Sequence, residues 1–199
     1  MEFEQLTALV IFAFVSTFTP GPNNLMLMTS GANVGYMRTL PHMCGIAFGF
    51  AFMVLLVGLG LSAVFQTYPV AHLILKYVSL AYLAYLAVKI ALSGRAKDVD
   101  NFRPMTFLGA ASFQWVNPKG WSMALSSVTL YSNGGGWIEL LIISATFLLV
   151  NFPSGSFWIL AGRELQRWLT SALRIRSFNI LMAVLLVGST LPMIQMSGM

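Results

Sequence analysis

The sequence predicts an all-α integral membrane protein: six transmembrane helices in a 3+3 inverted repeat, with helices 1 and 4 broken at Pro20/Pro22 and Pro118. Three observations predict this: a weakly charged apolar composition, nine of eleven basic residues on or beside alternate connections with only Lys76 and Lys119 inside spans, and two matching proline breaks half a chain apart. Of the 199 residues, 57% are hydrophobic and 9% charged, against about 25% charged in an ordinary soluble domain. Six apolar runs follow in order, Phe3–Thr29, Met43–Phe65, Val70–Leu92, Phe107–Tyr131, Trp137–Leu160 and Phe178–Met196. They leave little over for a soluble domain, so 1–199 reads as a single transmembrane domain with halves of about 1–95 and 103–199.

The net charge of +5 would raise the question of nucleic acid in a soluble protein, so the placement of the charges decides. Arg38, then Lys89, Arg95, Lys97 and Arg103, then Arg163, Arg167, Arg174 and Arg176 fall on or beside alternate connections, and the opposite connections and both tails carry none. The positive-inside rule therefore places both termini outside the cytoplasm. The basic character reports topology, and no nucleic-acid partner is expected. Cys44 is the single cysteine, which excludes an internal disulfide, a Cys-x-x-Cys redox pair and a cysteine metal cage. Glu2 and Glu4 stand where a signal peptide would be basic, so the first span is expected to be retained.

In the first span, Leu6–Thr19 gives about 21 Å of helix, short of a hydrocarbon core of about 30 Å. The span must continue past Thr19-Pro20-Gly21-Pro22-Asn23-Asn24 as two half-helices. Thr19 and Asn117 are N-cap candidates directly before proline, which suits the first helical position and disfavours helix in the residue before it. Gly31, Gly35, Arg38 and Pro41 suit a following loop. In span two, Gly45 and Gly49 lie one turn apart and suit close helix approach, a face also compatible with a homodimer. In span three, Tyr82 and Tyr85 sit deep on one face with Lys89 below them, their hydroxyls needing partners from another helix or from a substrate.

Span four reaches Asn117-Pro118-Lys119-Gly120 after ten residues, which sets Lys119 near the bilayer midplane. A charge there costs about 2.5–3.5 kcal/mol on insertion scales and marks a functional site by default. Span five contains Asn151-Phe152-Pro153-Ser154, where Pro153 should kink the helix. Span six is scaffold. His42 and His72 fall at opposite edges of spans and form no common site.

Shifting the chain by 98 residues carries Pro20 onto Pro118. Three spans per half force the second half into the opposite orientation, the layout of secondary transporters whose substrate sits at the repeat interface. Restarted helices expose amides near Asn23, Asn24 and Leu25, and near Lys119 and Gly120, and these attract anions. With Asn23, Asn24, Asn117 and Asn151 as hydrogen-bonding side chains, the site suits both ends of a zwitterion. The site residues expected from sequence are Pro20, Gly21, Pro22, Asn23, Asn24, Tyr82, Tyr85, Asn117, Pro118, Lys119 and Asn151. None is catalytic, and no metal or cofactor is expected.

These residues resemble the LysE/RhtB family of bacterial amino-acid exporters. The matching motifs are Thr19-Pro20-Gly21-Pro22-Asn23-Asn24, Gly45-Ile46-Ala47-Phe48-Gly49, Ala81-Tyr82-Leu83-Ala84-Tyr85-Leu86-Ala87-Val88-Lys89 and Asn117-Pro118-Lys119, in that order over the whole chain. The resemblance implies a multi-pass inner-membrane protein that exports amino acids or their derivatives in exchange for protons, its proline helices beside the transport path. Many members carry an acid just after the second-helix glycine pair, where this chain has Phe50. No aspartate or glutamate lies deep in a span, so a neutral amino acid is expected, and Lys119 is left as the candidate proton carrier. Phe50 and the first-helix motif also resemble the branch that exports cysteine and O-acetylserine; threonine/homoserine and leucine types stay open. A channel or an integral-membrane enzyme on a similar scaffold is the alternative, although neither a Ser/His/Asp set nor paired membrane carboxylates appear.

Overall fold

The computed structural model describes residues 1–61, 69–92, 102–132, 136–168 and 171–188. Among them every regular element is helical: α1 Phe3–Phe18, α2 Pro22–Leu56 followed by a π-turn at Val57–Leu61, α3 Pro69–Leu92, α4 Phe107–Phe113 followed by a 3-10 turn at Gln114–Val116, α5 Pro118–Tyr131, α6 Trp137–Gln166 and α7 Ala172–Gly188. Most of the polar connection Ser93–Pro104, the glycines Gly134 and Gly135 of the outer turn, and the end of the sixth expected span lie outside the described residues.

The interruptions between α1 and α2 and before α5 have prolines behind them. Thr19 (ψ 143°), Gly21 (ψ 177°) and Asn117 (ψ 106°) are all extended, the conformation that proline demands of the residue before it. Thr19 corrects one expectation, because it closes α1 rather than capping the next helix. With two prolines in succession the helix restarts only at Pro22, and Gly21 is the N-cap.

A second correction concerns the expected loop at 31–41. The chain turns there on Gly35 alone (φ 75°), and helix runs on both sides, through Gly31 and Pro41. Only glycine enters that left-handed region without a steric cost. Gly31 is helical because it is a packing residue: a Cβ on Gly31 would strike the backbone of Ile159, and one on Gly162 would strike the backbone of Met28. These two close approaches lock α2 to α6, which continues to Gln166. His42, expected at an interface, is buried and lies with Nδ1 3.5 Å from the Ser30 hydroxyl.

The glycines of the second span serve internal packing. Gly45 faces Phe107 and Ala110, and Gly49 faces Ala111, all on α4. α2 and α6 form the centre of the bundle, with α1, α4 and α5 packed on them, and α3 pairs with α7 at one side. Leu9, Ala13, Phe50, Met53, Ile143 and Phe147 fill the core between α1, α2 and α6. Leu83, Leu86, Met182 and Leu186 fill the core between α3 and α7, where they meet Leu25 and Phe113.

The outer faces are apolar as well. Phe3, Ile11, Tyr77, Leu108, Ile138, Leu149 and Val184 are all more than half exposed, a distribution that water penalises and lipid accommodates. Among the described residues two helical runs, Pro22–Leu61 and Trp137–Leu165, are long and apolar enough to cross a membrane, their most apolar 18-residue stretches having mean hydropathies of 2.4 and 1.7.

Candidate functional site

The break between α1 and α2 and the break before α5 meet at one cleft, about 350 Å³ including its open mouth. Ser16 and Thr17 of α1, Gly21, Asn23, Asn24 and Phe50 of the α2 side, Asn117, Lys119, Gly120 and Met123 of the α5 side, and Asn151 of α6 line it. Six of the residues expected from sequence thus share one wall-to-wall space: Gly21, Asn23, Asn24, Asn117, Lys119 and Asn151. Pro20, Pro22 and Pro118 sit in the same breaks and shape the backbone without lining the cleft.

Tyr82 and Tyr85 are elsewhere. Tyr82 packs 5.9 Å from the ring of Phe113 and 6.0 Å from that of Tyr85, and Tyr85 is exposed beneath the ammonium of Lys89. They belong to the α3 flank.

At the end of α1 the loose carbonyls of a terminated helix are collected by three other elements. The Thr17 carbonyl accepts from Asn24 Nδ2 at 2.6 Å and from the Ser154 hydroxyl at 2.9 Å. The Thr19 carbonyl accepts from Asn24 Nδ2 at 2.8 Å and from Lys119 Nζ at 2.6 Å. Lys119 also donates to the Thr19 hydroxyl at 2.8 Å. Its cation therefore rests on the negative end of the α1 dipole and not on a carboxylate. None of the residues lining the cleft is acidic.

The starts of α2 and α5 present the opposite polarity. Both have proline at N1, and neither has a side-chain cap, so the amides of Asn23 and Asn24, and of Lys119 and Gly120, are unused by their own helices. Asn23 and Gln114 hold the two breaks in register through a reciprocal amide pair, Asn23 Nδ2 to Gln114 Oε1 at 2.9 Å and Gln114 Nε2 to Asn23 Oδ1 at 3.3 Å. Uncapped amides from two helix starts beside a lysine make a receptor for an anionic group such as a carboxylate.

The sequence reading did not single out Gln114, Ser154, Ser16, Thr17 or Met123 as site residues. Gln114 carried a usable signal, being a lone amide in the apolar run Phe107–Val116, one turn before the Asn117 break. Ser154 lay in the irregular stretch around Pro153, but its aim at the Thr17 carbonyl depends on how α6 crosses α1.

The sequence matches the family model described as LysE type translocator over residues 14–196. The chain belongs to the LysE type translocator family. It is similar to the cysteine/O-acetylserine efflux proteins of Escherichia coli K12, Escherichia coli O1:K1 / APEC and Shigella flexneri, each 28% identical over 187 residues, covering 92% of this chain and 93% of the relative. No solved structure matches it. This LysE-type translocator is thus a transmembrane transport protein, and the cleft lies where its two proline breaks converge.

Proposed function

We propose that the protein is a secondary active exporter of small neutral amino acids or their derivatives, working by proton antiport in the bacterial inner membrane. The observation that carries this reading is the cleft itself: two uncapped helix starts and one lysine at the junction of two breaks, with no acidic side chain in the lining. The amides and Lys119 take the substrate carboxylate. A cationic side chain would find no counter-charge there, while Phe50 and Met123 offer an apolar wall to a small neutral one. Cysteine and O-acetylserine are the first candidates, as the substrates in the relatives' name, followed by threonine/homoserine and leucine.

On this reading the chain is one transport domain of six spans. Span one is α1 with the α2 segment up to Gly35, span two the rest of α2, and span four α4 with α5. The breaks at Pro20/Pro22 and Pro118 then occupy corresponding positions of two inverted halves, about 1–95 and 103–199. Both termini lie outside the cytoplasm, on the side opposite the basic connections. Alternating access would expose the paired breaks to one side and then the other. Lys119 is the cleft's one ionisable side chain and the carrier of the exchanged proton.

Counterflow in proteoliposomes tests this. Labelled cysteine, O-acetylserine, threonine and leucine should include at least one with saturable uptake, faster when the vesicle lumen is the acid side, since protons then leave as substrate enters. No saturable flux for any of them would refute the exporter reading, and flux indifferent to the gradient would refute the antiport.

A further inference from the structure

A zwitterion has a second end, and the side-chain accounting at the cleft indicates what receives it. Three of its four asparagines are engaged through their amide nitrogens. Asn23 pairs with Gln114, Asn24 holds the Thr17 and Thr19 carbonyls, and Asn151 donates to the Phe147 carbonyl at 2.8 Å.

Asn117 differs from them. It is 2% exposed, it lines the cleft, and its Oδ1 is buried with no hydrogen-bond donor. As an N-cap residue, Asn117 would ordinarily spend that oxygen on the amides of its own first turn, and here it makes no such bond. Its Nδ2 is turned to the Gly120 side, 3.6 Å from the place a Gly120 Cβ would occupy. Buried amide oxygens are almost always paired, so an acceptor left open between two helix starts is matched to a donor that arrives with a ligand.

Building on the exporter reading, we propose that Asn117 Oδ1 accepts a hydrogen bond from the α-ammonium group of the substrate, so that a free amino group is a condition of transport. The carboxylate sits on the amides of α2 and α5, and the ammonium is oriented away from them onto the lining's one buried side-chain acceptor that lacks a donor. Des-amino acids keep the carboxylate but leave Oδ1 unpaired. N-acylated amino acids lose the cation and add bulk at the same point. An unmade hydrogen bond to a charged group at a buried site corresponds to about a tenfold to hundredfold loss of affinity.

The test uses the full chain in proteoliposomes, with labelled cysteine under reducing conditions, threonine or leucine, whichever carries the largest flux. The competitors are the unlabelled amino acid, its des-amino counterpart (3-mercaptopropionate, 3-hydroxybutyrate or 4-methylpentanoate) and its N-acetyl derivative. In the unmodified protein the two analogues should need about ten to a hundred times the concentration of the amino acid for equal inhibition. Asn117→Leu should collapse that ratio toward one by weakening the amino acid alone, and Asn117→Asp, which keeps an acceptor, should preserve it. Equal inhibition by the des-amino acid in the unmodified protein overturns the assignment, whatever the variants do. So does an Asn117→Leu protein that is slower but keeps the ratio, which would make Asn117 structural. Absence of flux for all three amino acids and for O-acetylserine overturns the exporter reading itself.

Discussion

The ammonium of Lys119 donates to the carbonyl of Thr19 at 2.6 Å, joining the start of α5 to the end of α1 across 100 residues of chain. The partner is a neutral carbonyl at a helix C-terminus, so the lysine is satisfied without being neutralised. A carboxylate entering between the helix starts can then compete for a cation that no acid in the lining has claimed. That competition links substrate binding to the contact between α1 and α5, the kind of differential interaction a conformational change requires.

Gly21 keeps this contact open. It is extended (φ −178°), a conformation any residue adopts, so its glycine identity is a matter of space: a Cβ there would lie 2.7 Å from Lys119 Cδ. Gly21→Ala should fold and insert normally yet lose most of its flux, because the flexible lysine is displaced from Thr19. Saturable flux per inserted protein, compared with the parent, checks this, and parent-level flux would mean that the Lys119–Thr19 contact tolerates the added methyl.

The Asn23–Gln114 pair should couple the two breaks energetically. Gln114 is fully buried, so either alanine substitution leaves a polar partner unsatisfied, at a cost of about 1–3 kcal/mol. The double variant should cost less than the sum, with a coupling of about 0.5–3 kcal/mol in thermal unfolding of the detergent-solubilised protein. Simple additivity would show that the pair is not formed.

Gly162→Ala should destabilise through α2–α6 separation, because the added methyl meets the Met28 carbonyl and not a movable side chain. Overpacking of this kind costs about 1–3 kcal/mol or more. Gly136→Ala, where nothing lies within 4 Å, should stay within about 0.5 kcal/mol of the parent. Melting temperatures of the two variants compared with the parent check this.

The sequence made the breaks legible because proline acts locally. Thr19-Pro20-Gly21-Pro22 and Asn117-Pro118 interrupt a helix wherever they occur, and the helix starts they create were readable with them. Lys119 stood out as a charge inside an apolar run. The turn at Gly35 was harder to read, since Gly31 and Pro41 are equally loop-like in composition and only the crossing of α6 over α2 makes Gly31 a packing residue. Tyr82 and Tyr85 show the converse: a shared helix face was evident, but which helix it meets depends on the pairing of α3 with α7 and with Phe113. Gln114 and Ser154 became site residues only once α1, α5 and α6 converged.

Counterflow of a labelled neutral amino acid, run with the parent protein and Lys119→Ala side by side after both are shown to be inserted, tests most directly that the converging breaks are the transport site. The account predicts saturable flux in the parent and none above empty liposomes in the variant. Parent-level flux in Lys119→Ala would contradict it.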